Sequence, residues 1–274
     1  MTLPVVRSVD PVVLPLGLRS RAVLVLASLA GAFMFCWPLL AKVQPDQVLQ
    51  PPFLFLLLLP VVLVVVLAEL TEGGMDSRVL AVLGVLTAIN AVLRGASAGT
   101  AGIELVFFLM ILGGRVFGPG FGFVLGCTSL FASALLTAGV GPWLPYQMLA
   151  AAWVGMGAGM LPRRVRGRAE LAMLAAYGAV AAYAYGLIMN LSSWPFALGI
   201  MVPGYEGGLS FVPGDPLLEN LQRFGVYTML TSTGSFDTGR AITNIVLILV
   251  LGSAVLATLR RATRRAVVER VVSD

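Results

Sequence analysis

Between residues 53 and 68 the chain reads FLFLLLLPVVLVVVLA, without one polar side chain. Water cannot solvate such a run. Where lipid replaces water, every backbone amide must find its partner within the protein. Comparable apolar segments recur near 22–40, 53–68, 79–95, 103–117, 119–138, 146–161, 169–190 and 240–259. A straight crossing takes about 20 residues, so the shorter segments bound their helices only loosely. The runs are continuous and lack the polar–apolar alternation of a membrane barrel. They predict an all-α fold, a polytopic membrane helical bundle with eight crossings. Composition agrees: 11% of the 274 residues are charged, against about 25% in a water-soluble domain. Arg19 and Arg21 precede the first run as they would a signal peptide, but the run is long and no convincing small-residue cleavage site follows. It reads as an uncleaved helix.

Several chemistries drop out early. Histidine is absent, which removes imidazole acid–base catalysis, most zinc sites and Ser–His membrane proteases. Cys36 and Cys127 lie inside apolar runs and read as small buried hydrophobes, not a disulfide framework. No G-x-x-x-x-G-K-[ST] loop is present, so the chain does not hydrolyse ATP by that route. No chain of buried acids suggests a proton relay, and no nucleophile stands beside a base. The reading is a protein that is not an enzyme, with no cofactor and no metal.

Charge placement gives the orientation. With the N-terminus inside, the inner segments hold Arg7, Arg19, Arg21, Arg78, Arg115, the Arg163–Arg168 cluster and the tail from Arg260 to Arg270, which is 14 of the 18 basic residues. The outer segments hold Lys42, Arg94, Arg223 and Arg240. The positive-inside rule then places both termini in the cytoplasm of a multi-pass plasma-membrane protein. The net charge of +5 reflects that topology and implies no nucleic acid.

Polar residues in a membrane helix are costly and mark function. Here they share one depth. Asn90, Arg94, Glu104, Ser133, Thr137, Tyr146, Gln147, Asn190, Asp237, Arg240 and Asn244 fall at the outer helix ends, while the inner halves hold little beyond Thr87, Ser129 and Ser253. Trp143, Tyr146, Trp194 and Tyr227 lie at the same level. Part of this set serves as an interfacial belt. The rest predicts a cup that opens outward and holds a ligand by ring contacts and amide hydrogen bonds. The candidate substrate-binding residues are Asn90, Arg94, Glu104, Trp143, Tyr146, Gln147, Asn190, Trp194, Tyr227, Asp237 and Asn244. The ionised members Arg94, Glu104, Asp237 and Arg240 sum to zero, which favours a ligand without strong net charge.

Small residues recur every four positions at Gly114, Gly118, Gly122 and Gly126, at Ala151, Gly155 and Gly159, and at Gly84 and Ala88. Such stripes let helix backbones approach closely in lipid. The first two are read as internal packing, and the third as a docking face for another membrane protein.

From about residue 79 to 265, the stretches LTAINAVLRGASAGTAGIE, ILGGRVFGPGFGFVLG, SALLTAGVGPWLPYQMLAAAWVGMGAG and DTGRAITNIVLILVLGSAVLATLRRATRR resemble the substrate-binding S components of energy-coupling factor (ECF) transporters. The likeness is strongest to the cobalamin-type vitamin group. It implies a six-helix S-component-like core preceded by two extra transmembrane helices: residues 1–70 as the extension, 71–265 as the core with an outer loop at 191–239, and 266–274 as a cytoplasmic tail. Within that loop Leu217, Leu221, Phe224 and Tyr227 recur at helical spacing, and 217–230 reads as a short surface helix. The resemblance implies a vitamin-like small-molecule substrate held by the loops 94–102, 139–145 and 191–239. It also implies partnership with a transmembrane coupling protein and two ATPase subunits within the lipid bilayer. Family members dock through an Ala-x-x-x-Ala face on the first core helix; the nearest match here is Gly84-x-x-x-Ala88, with Ala81 beside it. The absent histidine argues against the metal-ion members. A self-contained secondary transporter or channel, a membrane-embedded lipid-modifying enzyme and a ligand-free scaffold stay open as other readings of the residues.

Overall fold

The computed structural model describes residues 17–40, 61, 77–97, 102–196 and 208–273, with side chains placed for all of these except 40 and 263–273. Apart from Val61, the run at 53–68 lies outside them. Nine α-helices are described: α1 (Leu18–Phe35), α2 (Trp37–Leu40), α3 (Ser77–Ser97), α4 (Val106–Phe117), α5 (Pro119–Leu136), α6 (Leu144–Met160), α7 (Arg168–Ser193), α8 (Leu217–Thr228) and α9 (Thr238–Ser273). A 3₁₀ turn, Trp194–Phe196, extends α7, and a π-helical segment, Met229–Asp237, joins α8 to α9. No strand is present among the described residues. Five of these rods have the length and apolarity to cross a bilayer: α1, α3, α5, α7 with its 3₁₀ turn, and the continuous α8–π–α9. The chain is a polytopic helical membrane protein.

The packing follows from where each helix can lose its polar surface. α4 has 12 residues, about 18 Å, too short for lipid. Eleven of the 12 are buried, so it is the helix that others surround. It ends at Gly118, whose φ of 103° and ψ of 176° an L side chain rarely adopts. Pro119 starts α5 at once, in the position where its missing N–H costs nothing. α5 returns along α6 with backbone nearly touching backbone. A Cβ added at Gly114 or Gly122 would strike the Gly155 carbonyl, one at Gly126 would strike Ala151, and one at Gly159 would strike Gly118 and Pro119. The two glycine stripes are thus the inner seam of the bundle.

α1 lies against α6. A Cβ at Gly31 would collide with Leu149, Trp153 donates to the Ser28 hydroxyl at 3.1 Å, and Phe35 meets Tyr146 edge-on at 4.9 Å. In α3 a ladder of polar pairs faces α5: Thr87–Thr128 at 2.8 Å, Asn90–Ser129 at 3.0 Å and Arg94–Ser133 at 2.9 Å. Residues 217–230, read from sequence as a short surface helix, form α8 and the first two π residues. They continue through Asp237 into α9 without a break.

Candidate functional site

Helices of alternating direction bring the ends of α3, α5 and α7 and the starts of α4, α6 and α9 to one level. The sequence-predicted site residues at this level divide into four groups and two single asparagines.

The first group surrounds a cavity of about 290 Å³ between the start of α6 and the end of α7, lined by Pro142, Trp143, Tyr146, Met189, Ser192, Ser193 and Phe196. Pro142 and Pro145 stiffen the turn that carries Trp143, and Gly141 leaves room for the ring, because a Cβ there would meet the indole itself. The indole is half exposed and donates to the Gly139 carbonyl at 3.3 Å. Tyr146 is buried. The far wall is steadied from the N-terminal segment: Trp37 stacks on Phe196 at 5.6 Å and donates to the Ser192 carbonyl at 3.4 Å.

The second group is Arg94 and Gln147. Arg94 donates to the Gln147 Oε1 at 3.1 Å and to Ser133 Oγ at 2.9 Å, and no carboxylate pairs with it among the described residues. Asn90 lies fully buried one turn below, with its Nδ2 on Ser129 and its Oδ1 unmatched among the described residues.

The third group is ionic. Arg240 grips Glu104 with two bonds, Nε to Oε2 at 2.9 Å and Nη2 to Oε1 at 3.0 Å, and reaches Asp237 Oδ1 at 2.9 Å. Its guanidinium lies over the Tyr185 ring at 4.9 Å and the Phe107 ring at 5.4 Å. Ser232, inside the π segment, donates to Asp237 at 2.8 Å. Asp237 itself fills the space that a side chain at Gly186 would take. Gly102, at φ 81°, lies against the Phe236 backbone and sets Glu104 in reach of Arg240. Two carboxylates against one guanidinium leave this group one negative charge in excess.

The fourth group, Trp194 and Tyr227, forms a small core of its own. Trp194 is fully buried, donates to the Leu209 carbonyl at 2.7 Å, and packs on Phe211 and Phe224, with Tyr227 beside them. This core folds the 208–216 strip onto α8, where Asn220 exchanges two hydrogen bonds with the Val212 backbone.

Of the single asparagines, Asn244 is buried against α7, its Nδ2 on the Gly178 carbonyl at 3.0 Å. Asn190 keeps a buried Nδ2 with no partner among the described residues, one position after the cavity-lining Met189.

The structure therefore brings Trp143 and Tyr146 to one cavity and joins Arg94 to Gln147, and Glu104 to Asp237 through Arg240. It gives Trp194, Tyr227 and Asn244 packing roles. The cavity residues Met189, Ser192, Ser193 and Phe196 were not singled out in the sequence. Their only signal was the polar Asn190–Ser193 spacing at the end of an apolar run. The docking stripe lies elsewhere: Ala81, Gly84 and Ala88 are all exposed, and a Cβ at Gly84 would meet nothing. No group of three or more metal-ligating side chains occurs among the described residues.

Residues 78–207 match the family model described as ECF transporter, substrate-specific component. No curated protein and no solved structure matches the chain.

Proposed function

We propose, from the premise that residues 78–207 are the substrate-specific-component domain of an ECF transporter, that this protein captures a small molecule at the outer end of its bundle and delivers it to a transmembrane coupling protein and two ATPase subunits. S components are transport subunits and not enzymes. The observation that carries the capture step is the cavity walled by Trp143, Tyr146 and Phe196. Aromatic faces supply contact area at small entropic cost, and the prolines of the Trp143 turn reduce what must be ordered on binding.

The cavity limits the substrate. At about 290 Å³ it falls just below the usual range of ligand pockets, about 300–1,000 Å³, which suits a compact ring compound and gives a corrinoid no support. Among the described residues no carboxylate, guanidinium or ammonium lines it, so the substrate in this reading is a vitamin-sized compound of low net charge. Tyr146, Ser192 and Ser193 are the hydroxyl-bearing residues of its wall, and Asn190, with its unmatched amide, follows Met189 in the chain. The exposed Ala81–Gly84–Ala88 face is assigned to docking on the coupling protein, because a smooth surface facing lipid gains most from a close helix partner.

Mass spectrometry of small molecules that co-purify with the detergent-solubilised chain tests the reading directly. A single compound is expected, released on heating. Uptake by the chain reconstituted alone, without ATPase subunits, would overturn the assignment in favour of a self-contained transporter.

A further inference from the structure

A second cavity, of about 550 Å³, lies at the opposite end of the bundle, between the first turn of α7 and the inner part of α9. Its walls include Arg168, Glu170, Leu171, Leu256, Arg260 and Arg261. Glu170 is buried, and its Oε1 accepts from both Arg115 Nε at 2.7 Å and Arg260 Nη2 at 2.6 Å. That carboxylate is therefore already neutralised twice over. Arg168 and Arg261 add two more guanidiniums, and neither has a carboxylate partner among the described residues; Arg261 donates only to the Thr258 hydroxyl at 3.2 Å. Among the described residues, three guanidiniums thus line the opening against one carboxylate, and a fourth, Arg115, backs that carboxylate from behind. The N-cap of α7 is Gly167, which offers no side-chain acceptor to the first-turn amides, so the positive end of the helix adds to the same field.

The cavity is not uniformly polar. Leu171 and Leu256 give it an apolar wall on the side of the helix interiors. A cationic mouth above a hydrocarbon-like wall, at the edge of a bilayer, fits a molecule with an anionic phosphodiester and an acyl chain. We infer that this cavity binds the headgroup phosphate of an anionic phospholipid, with Arg168 and Arg261 as its principal contacts. A free phosphate shares the headgroup's charge but has nothing to place on the apolar wall.

The test uses the full chain in neutral detergent, with native mass spectrometry and thermal unfolding as readouts. Short-chain phosphatidylglycerol is expected to bind and to raise the melting temperature. Phosphatidylcholine of the same chain length and inorganic phosphate at the same concentration are expected to do neither. Arg168→Gln combined with Arg261→Gln should weaken phosphatidylglycerol binding at least tenfold, and neither side chain belongs to the buried ion cluster that a fold-breaking change would disturb. Salt titration of the unaltered chain needs no variant: binding should weaken steeply as ionic strength rises. Equal stabilisation by phosphatidylcholine, equal binding by inorganic phosphate, salt-independent binding, or undiminished affinity in the double variant would each overturn the assignment.

Discussion

Arg240 binds two carboxylates, a backbone carbonyl and two ring faces at once. It is 7% exposed and holds Asp237, 1% exposed, and Glu104, 33% exposed. Replacing it with Met strands Asp237 in the bundle without its cation, which costs about 3–5 kcal/mol. Thermal unfolding in detergent should show a large drop in melting temperature. Glu104→Gln, at the wetter end of the same group, should cost under about 1 kcal/mol. Trp143 carries a different expectation. Its ring is half exposed, so Trp143→Ala should leave stability nearly unchanged and weaken substrate binding at least tenfold, about 1.4 kcal/mol, as measured by titration with the co-purified compound. The sequence marked Glu104, Asp237 and Arg240 as notable, because charges stand out in an apolar chain. It could not pair Glu104 with Arg240, since 136 positions separate them and nothing local encodes that meeting. Trp194 shows the converse: an aromatic at the right depth, spent on anchoring the 208–216 strip.

The helices tell the same story through their glycines. Four-residue spacing made the stripes of α5 and α6 legible, because close backbone approach has few other uses in lipid. The two glycine-rich stripes read as internal packing, and that is where they lie. The structure sets the third apart: Gly155 opposes the Gly122 backbone, while Gly84 faces open space. The same substitution should therefore have opposite consequences. Gly155→Leu forces α6 off α5 and should cost about 3 kcal/mol, seen as loss of a monodisperse peak in size-exclusion chromatography. Gly84→Leu should fold and bind substrate normally, yet lose co-purification with the coupling protein. The α1–α2 pair makes a subtler contribution through Trp37. Trp37→Ala removes the stack on Phe196 and should weaken substrate binding about fivefold, roughly 1 kcal/mol, without unfolding the core. The π segment was not legible at all. Gly234 and the segment's short polar side chains carry no helical apolar period, and tertiary contact through Asp237 and Phe236 accounts for the helix continuing.

For the whole molecule, fold class followed from the apolar runs alone, because lipid permits so few backbone arrangements. Orientation rests on arginine placement, and labelling tests it. In a background with Cys36→Ser, Val140→Cys should react with a membrane-impermeant maleimide in intact cells, whereas Arg164→Cys should react only after permeabilisation. Both positions are exposed, and Cys127 is buried and should stay silent. The half with few polar residues proved less inert than its composition implied. A single glutamate, Glu170, joins α4, α7 and α9 there through Arg115 and Arg260, and the sequence shows it only as one acid amid many arginines.

Those same three helices are tied a second time near the start of α9, where Arg240 links Glu104, just ahead of α4, to the Ala182 carbonyl midway along α7. Arg240 and Arg260 stand 20 residues apart on α9, about 30 Å along the axis, or one hydrocarbon thickness. A stave riveted near both rims cannot slide past its neighbours without shearing a rivet. Under the proposed function, the motion that releases the substrate must then either tip the trio as a single piece or swing α6 away from it, and cross-links placed between α7 and α9 should leave transport intact.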